Sequence, residues 1–123
     1  MPMVPTVLVV EDDPALRESI AEVLADEGYR VVAVVDGAGV WETATARPAL
    51  ILLDLRMAGL DGEATLAHLQ ADPAAREIPV VVMSGSADLA AYAGRPGVAA
   101  ILPKPFDLED LLSLVATWAG PAG

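Results

Sequence analysis

Five short apolar runs punctuate this chain: residues 6–10 (TVLVV), 31–35 (VVAVV), 50–53 (LILL), 80–83 (VVVM) and 98–102 (VAAIL). Each is too short for a buried helix, and each is bounded by turn or cap residues. Runs of this kind, rich in Val, Leu and Ile, read as strands covered on both faces of a parallel sheet. Helical spacing fills most of the gaps. After the first run, Leu16, Ile20, Val23 and Leu24 share one helix face, with Asp13 as N-cap, Pro14 at the first helical position and Gly28 as the stop. Val40, Trp41 and Ala44 suggest a weak second helix before Pro48. Residues 62–71 carry Leu66 and Leu69 on one face, and a loop over 73–79 follows. A short helix over 87–93 is broken by 94–97 (GRPG). Asp107 is expected to cap a last helix that turns Leu108, Leu111, Leu112 and Val115 inward, ahead of a short tail. Strand then helix, repeated five times, predicts an α/β doubly wound five-stranded parallel sheet with helices on both faces. The order 2-1-3-4-5 is the one of its common orders that brings the polar strand ends together.

The chain has 123 residues, which suits one domain, 1–123, with a structured core over about 5–119. Only 4% of it is aromatic, so the core must be built from aliphatic side chains. A net charge of −11 argues against direct contact with nucleic acid or an anionic membrane surface. The absence of cysteine excludes disulfide and thiolate chemistry. Nothing reads as a signal peptide or a membrane span, so a soluble cytoplasmic protein is expected.

The polar residues at the strand ends carry the functional signal. Asp54 ends the third run, and by itself either caps the following turn or occupies a site at the sheet's carboxyl edge. Glu11 and Asp12 end the first run, Ser84 the fourth and Lys104 the fifth. In the order 2-1-3-4-5 those four strands are neighbours, so these side chains converge. Three carboxylates in one pocket repel one another, and a hard divalent cation such as Mg²⁺ relieves that repulsion. A carboxylate nucleophile, a metal, an ammonium and a hydroxyl suit phosphoryl transfer onto Asp54.

On these residues the chain resembles the receiver domain of two-component response regulators, a fold of the flavodoxin-like type. Glu11-Asp12, Asp54, the segment 57–62 (MAGLDG), Ser84 and Lys104-Pro105-Phe106 fall at that family's motif positions. The resemblance implies that Asp54 is the phosphoacceptor and Asp12 a direct metal ligand. It implies that Glu11 assists through water and that the backbone carbonyl of Arg56 is a third protein ligand. It further implies that Ser84 and Lys104 hold the phosphoryl group, that the bond before Pro105 is cis, and that Mg²⁺ is the cofactor. The implied partner is a histidine kinase or a histidine phosphotransfer protein, with no direct role for nucleic acid or membrane. Such a domain catalyses only its own phosphorylation and dephosphorylation.

Three positions depart from the pattern. Ala58 stands where the family usually has proline. The stretch from Ser84 to Lys104 is short, so its helix is expected to be stunted. Ile101 replaces the usual Tyr or Phe at the switch position. Two further readings come from other classes. One is a receiver-like interaction module that is never phosphorylated. The other is an Mg²⁺-dependent aspartyl-phosphate hydrolase resembling the haloacid dehalogenases, against which Arg56 stands where those enzymes have a second Asp. His68 reads as a surface residue, Trp41 and Trp118 as helix packing, and Asp61 as a turn residue.

Overall fold

The computed structural model describes residues 4–36, 39, 47–56, 62–85 and 87–122. The expected second helix, the turn with Ala58 and Asp61, and Trp41 lie outside the described residues. The strands are β1 (Thr6–Val10), β2 (Arg30–Val34), β3 (Leu50–Asp54), β4 (Val80–Ser84) and β5 (Val98–Pro103). The α-helices among the described residues are α1 (Pro14–Asp26), α2 (Gly62–Ala71) and α3 (Leu108–Ala119), with a 3₁₀ helix at Ala87–Tyr92. All strand pairs are parallel, in the order β2-β1-β3-β4-β5.

Alternation along the strands divides the core in two. Val7, Val9, Leu50, Leu52, Val81 and Met83 face α1 and α3, where Ile20, Leu24, Leu111 and Val115 meet them. Leu8, Val10, Ile51, Leu53, Val80 and Val82 face the other way, toward Leu66 and Leu69 of α2 and Leu89 of the 3₁₀ helix. β3 and β4 are buried at every residue, which is why their sequences show no polar alternation. Each fully buried Leu, Val or Ile contributes about 1.5–3 kcal/mol of transfer free energy, and that burial holds the helices to both faces.

Local chemistry sets the helix ends as expected at α1. The Asp13 side chain accepts the Ala15 N–H at 3.1 Å, and Gly28 takes φ +102° just past the helix, where a side chain would be strained. Several expectations need correction. β2 starts and stops one residue earlier than its apolar run: Arg30 pairs with Thr6, whereas Val35 is 51% exposed past the ladder. Asp107 occupies the N-cap position of α3 but makes no side-chain cap hydrogen bond; its carbonyl accepts the N–H groups of Asp110 and Leu111. Leu108 does not turn into the core. It is 45% exposed and lines a hollow of about 380 Å³ with Leu16, Lys104, Pro105 and Phe106. Trp118 is 43% exposed beside Ile78, Pro79 and Val98, so it packs against the core only in part. Between β4 and β5 the chain makes tight turns, with Arg95 N–H donating to Tyr92 and Val98 N–H to Arg95, and no α-helix forms there among the described residues.

Candidate functional site

The strand ladders deliver four side chains to one point on the carboxyl edge. β1 pairs with β3 up to Val10↔Leu53, so Glu11 and Asp12 leave β1 beside the end of β3. Asp54 pairs with Met83, and Ser84 pairs with Pro103 one step before Lys104. The Lys104 N–H donates to the Ser84 carbonyl at 2.9 Å, which carries the β4–β5 ladder to the edge itself. The Lys104–Pro105 peptide bond is cis.

Carboxylate oxygens of Glu11, Asp12 and Asp54 all lie within 4.8 Å of one another, close enough to hold one metal ion. Every donor in that set is a hard oxygen, which suits a hard divalent cation. Asp12 is exposed, whereas Glu11 and Asp54 are buried. The Lys104 ammonium lies 2.7 Å from Glu11 Oε1 and 3.4 Å from Asp54 Oδ2. The other Asp54 oxygen, Oδ1, accepts the Arg56 N–H at 3.1 Å. Ser84 is buried at the same edge. Ile101 is partly buried against the core on the α2 face.

The electrostatics follow from burial and crowding. Burial first, then the hydrogen bond and the charge of Asp54, push the Glu11 carboxyl up to about 7, against the lowering effects of Lys104 and the Asp13 N–H. For Lys104, burial favours the neutral amine, but its contacts with Glu11 and Asp54 more than offset this and raise its pKa. Lys104 is therefore charged at neutral pH.

The model of the response regulator receiver domain family matches residues 7–116. The chain belongs to that family. The response regulator protein FleR of Pseudomonas aeruginosa is 40% identical over 121 residues, covering 95% of this chain and 25% of FleR. The DNA-binding transcriptional regulator NtrC of Escherichia coli is 37% identical over 113 residues, covering 89% of this chain and 24% of NtrC. This receiver domain thus spans about a quarter of the length of those relatives. Among solved structures, the receiver domain of a Pseudomonas aeruginosa sensor histidine kinase superposes with a TM-score of 0.83 at 29% identity, covering 96% of this chain and 99% of that one. That protein was solved with a magnesium ion coordinated in its active site cleft.

One residue of this receiver domain escaped sequence reading, and a second was read only as part of a motif and a helix start. Arg17, in the first turns of α1, donates from Nη1 to the Glu11 carbonyl at 3.0 Å and to the Asp12 carbonyl at 3.4 Å. Its one signal was a cation placed a helical turn after an acidic turn. Gly62 opens α2 directly against the end of β3, where a Cβ would meet backbone atoms of Asp54 and Leu55. No helix among the described residues is long and apolar enough to cross a membrane.

The position of Glu11 has a consequence for stability. Its folded-state value of about 7 lies above the ordinary 4.5, so the folded state binds its proton more tightly than the unfolded chain does. The stabilising effect is full below pH about 4.5 and is lost as pH rises through about 7. Without metal, the melting temperature should fall across that window, by on the order of 1–3 kcal/mol in stability terms. Glu11→Gln should flatten the fall. Thermal melts in a chelating buffer at several pH values check this, and an equal slope in the variant would reassign the effect to general charge repulsion.

Proposed function

We propose that this domain accepts a phosphoryl group on Asp54 from a phosphohistidine of a histidine kinase or a histidine phosphotransfer protein, and acts as a phosphorylation-controlled switch or relay. The observation that carries this reading is the cluster itself: three carboxylates within 4.8 Å, with an ammonium 2.7 Å from one and 3.4 Å from another. An ordinary surface would not gather these charges, because each buried carboxylate raises the cost of the next. Their cost is accepted where a cation and a phosphoryl group are to be held.

Asp54 is fixed for attack. The Arg56 N–H holds Oδ1, which leaves Oδ2 facing Lys104. In the proposed step an Asp54 oxygen forms a bond to phosphorus as the bond from phosphorus to the donor's imidazole nitrogen breaks. The leaving imidazole takes a proton from solvent. Lys104 then exchanges part of its pairing with Glu11 for the phosphoryl oxygens, and the Ser84 hydroxyl donates to another of them. Glu11, Asp12, Asp54 and the Arg56 carbonyl are the groups that would hold Mg²⁺, Glu11 acting through water. When bound, Mg²⁺ neutralises charge developing on the phosphoryl oxygens. Ile101 stands at the switch position, where its branched side chain has no ring to swing and no polar tip.

Incubation with a small phosphodonor such as acetyl phosphate tests the proposal, read by intact-protein mass. One phosphoryl group should add in the presence of Mg²⁺, and EDTA should abolish the addition. No mass increase with Mg²⁺ would favour the reading of a module that is never phosphorylated. An undiminished increase in EDTA would remove the metal from the mechanism.

A further inference from the structure

We infer that Arg17 is a positioning residue for the acidic turn: it holds the backbone of Glu11 and Asp12 so that both carboxylates can serve one cation together with Asp54. The inference rests on the proposed divalent-cation site.

β1 ends at Val10, and its ladder with β3 ends at Val10↔Leu53. On the other side the Glu11 N–H still donates to Val34 at 3.1 Å, and there β2 ends. Glu11 and Asp12 therefore lie past the paired residues of both ladders. A half-buried carbonyl without a partner costs free energy. Arg17 reaches back from α1 and donates one nitrogen, Nη1, to both. Its own place is set by the start of the helix, where its N–H donates to the Asp13 carbonyl at 2.9 Å. The helix start and the acidic turn are thus locked as one unit, through backbone carbonyls and not through the carboxylates themselves.

The lock works against a specific force. Glu11, Asp12 and Asp54 repel one another without a cation, and the Glu11–Asp12 turn is the part beyond the ladder and so the part able to yield. A released turn would spread the oxygens and lower the affinity for the ion. Charge alone predicts the opposite sign. Arg17 is a cation close to a cation site, so its removal would tighten binding if electrostatics were its only role. The direction of the change therefore separates positioning from charge.

The test is isothermal titration of Mg²⁺ into the wild type, Arg17→Ala, Arg17→Gln and Arg17→Lys, each shown folded by its melting curve. A parallel assay measures the Mg²⁺ dependence of phosphorylation by acetyl phosphate. Groups that orient metal ligands typically change affinity 10–100-fold. Arg17→Ala should weaken Mg²⁺ binding by about tenfold, at the low end because Arg17 holds carbonyls, not the ligands themselves. Arg17→Lys, with a donor on a stem of similar reach, should recover part of the loss, whereas Arg17→Gln, whose amide stops two bonds short of Nη1, should behave like Arg17→Ala. The half-saturating Mg²⁺ concentration should rise in step, while the rate at saturating Mg²⁺ stays near wild type. A purely structural role would lower the folded fraction and the amplitude and leave the midpoint in place, which would overturn the inference. Unchanged or tighter binding in Arg17→Ala would also overturn it. If the wild type itself binds no Mg²⁺, the cation site falls, and the inference falls with it. If Arg17→Ala does not fold, Arg17→Gln decides by the same criteria.

Discussion

Asp54→Asn should take up no phosphoryl group from acetyl phosphate and Mg²⁺, while melting at or above the temperature of the metal-free wild type. The amide keeps the shape of the side chain, and its oxygen can still accept the Arg56 N–H that Asp54 Oδ1 accepts at 3.1 Å. What it lacks is a nucleophilic oxygen and a negative charge. Losing the charge removes one of the causes that push Glu11 up to about 7. It also removes the 3.4 Å attraction to Lys104. Lys104 keeps its shorter contact with Glu11 at 2.7 Å, so one attraction is lost while one of three clustered carboxylate charges is removed. The variant therefore keeps or gains stability as it loses function. Intact mass and a thermal melt of the same sample check both halves. A full mass increase would move the acceptor to another residue, and a deep loss of stability would make Asp54 a structural group.

Gly62→Ala should lower the melting temperature by roughly 5–10 °C and slow phosphorylation as well. A Cβ on Gly62 would lie 2.5 Å from the Asp54 carbonyl oxygen and 2.9 Å from the Leu55 carbonyl carbon, and in contact with the Leu55 Cα. These are backbone atoms of the strand that carries the candidate acceptor, so no flexible side chain can give way. Overpacking costs about 1–3 kcal/mol, and rigid partners place this case at the upper end. The gain in helix propensity, at most about 1 kcal/mol, is smaller because Gly62 is the first residue of α2. The net loss of about 2 kcal/mol gives the quoted shift for a domain of this size. Relief comes by moving α2 away from Leu55, whose carbonyl accepts the Gly62 N–H at 3.2 Å, and that movement shifts Asp54. Thermal melts and the rate of mass increase check the two effects. A variant as stable as the wild type would show that α2 yields freely and has no part in placing Asp54.

The strands and the start of α1 were legible from the chain because their causes are local. An unbroken apolar run means cover on both faces, and Asp13, Pro14 and Gly28 act through their own dihedrals and neighbouring N–H groups. The βα alternation gave the parallel sheet but leaves its strand order open; the order 2-1-3-4-5 was the one that brings Glu11, Asp12, Asp54, Ser84 and Lys104 to one edge, and it is the order observed. Sequence reading failed where the cause was distant. Leu108 has the spacing of an inward residue, but its environment depends on Leu16, Pro105 and Phe106, and it lies exposed. Trp118 likewise meets too little of the chain to be covered.

Composition and periodicity alone therefore establish an α/β parallel sheet and the list of polar residues at its carboxyl edge. Tertiary structure decided how those residues relate. It made Glu11 the buried partner of Lys104 at 2.7 Å, left Asp12 in solvent, and brought Arg17 back over the turn that carries both acids. It also showed that Gly62 is needed for space against Leu55 and not for a positive φ. Dihedral preference and hydrophobic period act within a few residues of the chain. Burial, desolvation and close approach are set by what folds on top, and the shift of Glu11 arises from that cover.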